Sequence, residues 1–228
     1  MKEYTLKLKL LSDATFGRGD GVAGLVDVEV QHDRYGLPYL GGRALKGLLG
    51  AECDDLVFAL DKAGQGERWQ ATADRLFGRS GATMQGQAIL RVGPARLPDD
   101  LRQAIALQIE REKKARVPDP LTREDVLETL TTLRRQTAMD PETGAPLKET
   151  LRTLRLVLRG TSFTSRLTFL QEPEDDDLAL LAATVKALRR AGTGRNRGRG
   201  QLQAELLDGA GQPVTDTFFE TFRKAVGV

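Results

Sequence analysis

Glycine and arginine interleave across Gly192-Thr193-Gly194-Arg195-Asn196-Arg197-Gly198-Arg199-Gly200. Glycine reaches φ > 0 and lets the backbone approach another polymer closely. Each guanidinium adds a permanent charge and a planar fork of donors. Gly194, Arg195, Asn196, Arg197, Gly198 and Arg199 therefore suit an anionic phosphate backbone, although a solvated helix-to-strand turn uses the same residues equally well. A second concentration of charge runs from Arg134 and Arg135 to Arg152, Arg155 and Arg159. Gly41-Gly42 opens a helical pattern with Arg43 and Lys46 in its first turn. Cations there oppose the positive end of the helix dipole. A phosphate bound to the unpaired N–H groups would offset that conflict. His32 is the only histidine and a candidate general base, but its place beside a turn also suits a solvated loop residue. Cys53, the only cysteine, falls on the apolar stripe of the helical pattern and reads as core; an internal disulfide and a cysteine metal cluster are both excluded.

The net charge is +2, from 34 lysines and arginines against 32 acids, so any grip on nucleic acid must come from local clusters rather than a global field. The acid is segregated, as in Glu172-Pro173-Glu174-Asp175-Asp176-Asp177. Aromatic residues make up 5% of the chain, which argues against a base-stacking platform. No apolar run approaches the roughly 20 residues that span a bilayer. The first residues alternate as a strand does and lack the apolar segment of a secretory signal. The expectation is a cytoplasmic protein with no membrane partner.

Leu6, Leu8 and Leu10 alternate with Lys7 and Lys9, a half-buried strand, and Val26, Val28 and Val30 alternate with Asp27 and Glu29 in a second extended segment. Asp33 to Pro38 is a turn. Helical patterns follow over Arg43 to Lys62 and Trp69 to Phe77, where Gly78 is a stop and Trp69 a packing anchor beside Phe77. Gln87 to Val92, Leu154 to Leu158, Phe163 to Leu170 and Gln201 to Leu207 read as strands. Leu178 to Arg190 is the second main helix, and Thr217 to Val226 a closing one. Two polar helical runs, Leu101 to Arg116 and Arg123 to Arg134, look like a lobe outside the main core. Without it the order is βαββαβ. The fold class is thus α+β: a ferredoxin-like (RRM-like) palm carrying an inserted, partly helical thumb at about 97–150, in a single domain over 1–228.

The segment Asp33-Arg34-Tyr35-Gly36-Leu37-Pro38-Tyr39-Leu40-Gly41-Gly42-Arg43-Ala44-Leu45-Lys46-Gly47, the segment from Arg134 to Pro146 with Leu151-Arg152, the pair Leu76-Phe77 before Gly78, and the glycine-arginine loop occur in a telling order. Together they resemble the RAMP superfamily of CRISPR-associated proteins, and within it the repeated backbone subunit of type III effector complexes. Gly41 stands where that family's proline stands, and Arg43-Ala44 replace its two serines. The backbone role survives this change; the hydroxyl contacts do not, and Arg43 offers charge in their place.

The resemblance implies a subunit that grips the CRISPR guide RNA through Arg43, Lys46, Arg134, Arg135, Thr137 and the loop Gly194 to Arg199. Such phosphate contacts position without reading bases. Asp27 precedes Asp33 by the same interval at which the family's cleaving aspartate precedes its turn aspartate. The resemblance therefore implies that Asp27 cleaves guide-paired target RNA in antiviral defence, as a metal-dependent endoribonuclease. Mg2+ or another divalent cation would sit on Asp27, and Glu29 could share the site. Target RNA, other RAMP subunits and the large subunit of the complex are the implied partners. Three alternatives stay open: a guide-binding structural subunit that does not cut, a precursor-RNA-processing endoribonuclease using His32, and a generic RNA-recognition domain, which the sparse aromatics disfavour.

Overall fold

The computed structural model describes residues 2–78, 87–147 and 149–227. Strand β1 (Glu3–Leu10) buries Tyr4, Leu6, Leu8 and Leu10 and turns Lys7 and Lys9 outward, as the alternation requires. It lies at the centre of a four-stranded antiparallel sheet with β2 (Leu90–Val92), β5 (Ser162–Phe169) and β6 (Leu202–Leu207). The order is β2-β5-β1-β6. Helices α1 (Gly42–Lys62), α2 (Gly66–Phe77), α5 (Asp175–Ala187) and α6 (Thr215–Val226) share one core with this sheet. β1, α1, β2, β5, α5 and β6 realise the expected βαββαβ order, and the palm is ferredoxin-like.

Helix α1 starts at Gly42, whose Cα lies so near β2 that a Cβ would come within 2.5 Å of the Val92 carbonyl oxygen. Its stripe Leu45, Leu49, Cys53 and Val57 is buried, so Cys53 is core, and burial pushes its thiol up to about 12. Trp69 is a buried anchor on α2, where it packs against Phe222 of α6 with centroids 4.9 Å apart. Helix α5 begins three residues before Leu178, where the expected helix started, because Glu174 and Asp177 form a reciprocal capping box. The acidic run thus serves a helix start: Asp175, Asp176 and Asp177 occupy the first turn, where the dipole favours negative charge. Arg75 of α2 reaches both Glu174 and Asp177. Among the described residues, no helix is long and apolar enough to cross a membrane.

Between Arg96 and β5 the chain leaves the sheet through α3 (Asp99–Ala115), α4 (Arg123–Leu130) and a separate hairpin, β3 (Thr131–Gln136) with β4 (Arg152–Val157). Helix α4 opens on a capping box between Thr122 and Asp125. It ends at Leu130, not at Arg134 as its sequence pattern suggests. Thr131 and Thr132 are β-branched and favour the extended state, and Thr131 pairs with Val157 across the hairpin. Leu154 to Val157 therefore belong to this second sheet and not to the palm. Val26 to Val30 form isolated bridges with a bend at Asp27 instead of one continuous strand, and Val28 bridges Leu154 of β4.

A buried ion pair fastens that segment to the hairpin. Arg155 Nε donates to Glu29 at 3.0 Å, with the two side chains 8% and 2% exposed, and Arg155 Nη1 donates to Thr131 Oγ1 at 3.1 Å. Arg155→Ala strands the Glu29 charge and is expected to cost about 3–5 kcal/mol in guanidinium unfolding. Replacing both partners, Glu29→Met with Arg155→Leu, should recover most of that loss.

Candidate nucleic-acid interface

The glycine-arginine segment joins α5 to β6 as an anchored loop. Thr193 N donates to Thr15 O at 2.9 Å, Gly200 N to Asp13 O at 2.9 Å, and Ala191 N to Gly200 O at 2.8 Å. Arg195–Arg197 form a single 3-10 turn between Gly194 and Gly198, both left-handed at φ 74. Gly200 has φ 68, and a Cβ there would collide with the Ala191 carbonyl. Glycine is required at that position by two independent constraints.

Arginines on this loop differ in their surroundings. Arg195 and Arg197 are exposed. Arg199 is 8% exposed, and its Nη2 donates to the neutral Gln136 Oε1 at 2.6 Å. Burial, then the charges of Arg134 and Arg197, push its guanidinium below its ordinary value. Among the described residues, no ion pair joins Arg134, Arg195, Arg197 or Arg199 to a carboxylate; Glu52 of α1 exerts a favourable field from near Arg195. A buried cation among like charges is costly unless an anion joins it.

The space beside these arginines is a groove of about 610 Å³ lined by Gln136, Thr137, Met139, Thr150, Arg152 and Arg197. Thr137 Oγ1 lies 2.7 Å from Thr150 Oγ1, tying the hairpin's open end together. Register places Arg134 opposite Leu154 and Gln136 opposite Arg152, on one face of the hairpin. Arg135 pairs with Thr153 on the other face, which Arg155 shares. The structure thus brings together Arg134, Thr137, Arg197 and Arg199 and turns Arg135 away. Arg155, one of the cluster's arginines in sequence, is withdrawn from the groove by its pairing with Glu29.

Arg43 and Lys46 do not line this groove. Arg43 is exposed at the start of α1. Lys46 Nζ donates to Leu90 O at 3.0 Å, and burial lowers its ammonium from the ordinary value. The groove residues Gln136, Met139 and Thr150 are ones that residue type alone did not single out; only for Gln136, which alternates with Arg135 along β3, did the sequence hold a signal.

Asp27 is exposed and docked on β4: its N–H donates to Thr153 O at 2.8 Å, and its Oδ2 accepts from Thr153 N at 2.6 Å. It lines a cavity of about 510 Å³ with the turn from Gly21 to Val26. Glu29 points away into its buried ion pair and does not join Asp27 there. Among the described residues, no group of three or more His, Cys, Asp or Glu side chains could cage a metal ion. Asp27 offers one ligand, which suits only an ion that keeps its water and takes its other ligands from phosphate. His32 Nδ1 lies 3.1 Å from Asp33 O in the turn, whose Asp33 carboxylate accepts from Tyr35 N and Leu37 N.

The RAMP superfamily model matches residues 7–203, which contain the palm from β1 into β6, the inserted hairpin and the loop. The chain belongs to the RAMP superfamily. Two solved structures share the fold of this RAMP protein. A chain of the type III-B Cmr-beta complex bound to cognate target RNA superposes with a TM-score of 0.64 at 11% identity, covering 90% of this chain and 97% of that one. A chain of the apo state of Type III-B Cmr-beta superposes with a TM-score of 0.62 at 12% identity, with the same coverage. No curated protein matches this RAMP sequence.

The two glycines of the loop predict different losses. Gly198→Ala meets open space and should cost only the left-handed strain of about 1–2 kcal/mol. Gly200→Ala adds a collision with the Ala191 carbonyl and should cost clearly more in the same thermal or chemical unfolding measurement.

Proposed function

We propose that this RAMP protein is a subunit of a type III CRISPR effector complex that grips the guide RNA in the groove between the hairpin and the glycine-arginine loop. The observation that carries this reading is Arg199, buried among Arg134 and Arg197 with only a neutral partner. A phosphodiester is the anion that would complete it. Exposed Arg197 and Arg195 extend the grip along the strand, and Thr137 adds a hydroxyl donor. The likeness in fold to a Cmr-beta chain from a complex bound to target RNA supports the same reading. Binding of this kind is electrostatic and indifferent to sequence. Arg134→Ala and Arg197→Ala should each weaken single-stranded RNA binding and flatten the salt dependence by about 0.7 in log-log slope. Unchanged affinity and slope in both would refute the clamp.

The proposal extends to cleavage of target RNA at Asp27. RNA carries its own nucleophile in the 2′-hydroxyl, so the protein needs to hold one linkage in line and supply proton transfer. Asp27 is exposed, fixed by two hydrogen bonds to Thr153, and beside a cavity. If a hydrated Mg2+ takes part, it would supply charge stabilisation with Asp27 as its one protein ligand. The bond from Thr153 N to Asp27 Oδ2 equally favours a second reading, in which Asp27 only anchors its segment and the subunit binds without cutting. Asp27→Asn separates them, because the amide oxygen still accepts from Thr153 while the charge is lost. In the assembled complex this variant should bind guide as the wild type does and lose cleavage at this subunit's position. Cleavage at the wild-type rate would assign Asp27 to structure alone.

A further inference from the structure

The groove beside the glycine-arginine loop has two kinds of lining. Arg152 and Arg197 are charged, whereas Gln136, Thr137 and Thr150 are neutral and hydrogen-bonding. The charged part accounts for a phosphate. The neutral part needs another account, because a neutral group holds an anion about half as strongly as a cation does. The hydrogen bonds already made by these three side chains show what each still has to offer a ligand.

A threonine hydroxyl has one proton and two lone pairs. Thr150 Oγ1 donates its proton to Leu147 O at 2.8 Å and accepts from Ala138 N at 3.1 Å. Leu147 N donates to Ala138 O at 2.9 Å, so both partners of Thr150 are held to each other across the hairpin's end. The contact of 2.7 Å between Thr137 Oγ1 and Thr150 Oγ1 must then carry the Thr137 proton. Thr137 is exposed and borders the groove, where its oxygen is left to act as an acceptor. A phosphodiester also only accepts, and it gains the Thr137 proton only by breaking this chain of bonds. A ligand hydroxyl leaves the chain intact and donates to Thr137 Oγ1. Gln136 is oriented with equal definition. Arg199 has donors only, so the atom it meets at 2.6 Å is the amide oxygen of Gln136. The amide NH2 is turned away from Arg199, and among the described residues it has no acceptor. Strand β3 ends at Gln136, so Thr137 escapes strand alternation and both residues border the groove.

We propose that Thr137 and Gln136 recognise the ribose 2′-hydroxyl of the strand held in this groove and make the clamp selective for RNA over DNA. The 2′-hydroxyl donates to Thr137 Oγ1 and accepts from the Gln136 amide. A ribonucleotide carries such a donor-acceptor group beside an anion that only accepts; a deoxyribonucleotide keeps the anion and lacks the hydroxyl. Each neutral hydrogen bond that DNA fails to make lowers its relative affinity by about two- to tenfold. The inference rests on the guide-RNA clamp: the arginines supply affinity, and the neutral pair supplies the choice of sugar. Bases are not read in this way, so the grip stays indifferent to sequence.

Fluorescence anisotropy of the full-length chain with labelled single strands of one sequence, at one salt concentration, tests it. RNA should bind about fivefold tighter than DNA. A 2′-O-methylated RNA keeps the oxygen but has no proton to donate, and should bind more weakly than RNA. Thr137→Val keeps the side chain's shape and loses the acceptor, so the preference for RNA should fall below about twofold. Thr150→Val frees the Thr137 proton towards the groove and should lower the preference as well, which keeps the test from depending on one variant. Arg197→Ala should weaken both strands by the same factor and keep the preference. Equal affinity of the wild type for RNA and DNA, or methylated RNA bound as tightly as RNA, overturns the proposal. So does a wild-type preference that persists in both threonine variants. Equal weakening of both strands in Thr137→Val would assign Thr137 to phosphate or to the hairpin's packing and overturn it too. Where Arg197→Ala weakens both strands but the wild type shows no preference, the clamp stands and the ribose reading falls alone. Where Arg197→Ala changes neither strand, the clamp fails and the ribose reading falls with it.

Discussion

The ion pair between Glu29 and Arg155 holds together the parts of this molecule that carry its chemistry. Taking two charges from water is expensive, and the attraction repays it only when both partners are well satisfied. Here they are: Arg155 donates to both Glu29 and Thr131, and Glu29 also accepts from Val30 N. The pair sits on one face of the inserted hairpin. Its other face presents Gln136 to Arg199 and Arg134 to the same cluster. The Asp27 segment and the glycine-arginine loop are thus both referenced to one two-stranded element. A shift of the hairpin would move both at once.

Charge in this chain is sorted by function more than its small net value implies. Acids gather where a backbone or a neighbouring arginine uses them. The run before α5 caps that helix and binds Arg75, and Asp125 caps α4. Among the described residues the arginines of the groove pair with no carboxylate, which is why we propose an anion as their partner. Arg199 carries the desolvation cost of a cation beside a neutral partner, a cost that the phosphate of the proposed function would relieve.

Much of the palm was legible because its periods are clean. Alternation over β1 and a helical stripe through Leu45, Leu49 and Cys53 need only one buried face each, and both formed as expected. Errors fell where local pattern competes with pairing. Thr131 and Thr132 continue a polar helical pattern in the sequence, but β-branching and a waiting partner in β4 end α4 at Leu130. Trp69 meets Phe222, a partner no local pattern contains, because α6 packs on α5, which also contacts α2.

By itself the sequence determined the residue types of the candidate site and the order of the palm's elements. Glycine's freedom at Gly200, arginine's fixed charge and two hydrophobic periods are properties of single residues and short windows, so they survive without a fold. Tertiary structure alone decided which charges are used and how. Arg155 and Arg134 look alike in sequence, but strand pairing sends one into a buried pair with Glu29 and the other towards Arg199. Asp27 and Glu29 are two apart and would share a face in a strictly alternating chain, but the chain bends at Asp27, which stays exposed beside Thr153, while Glu29 is buried against Arg155. Such outcomes depend on partners far away in the chain, and a long-range partner is what a local pattern does not contain.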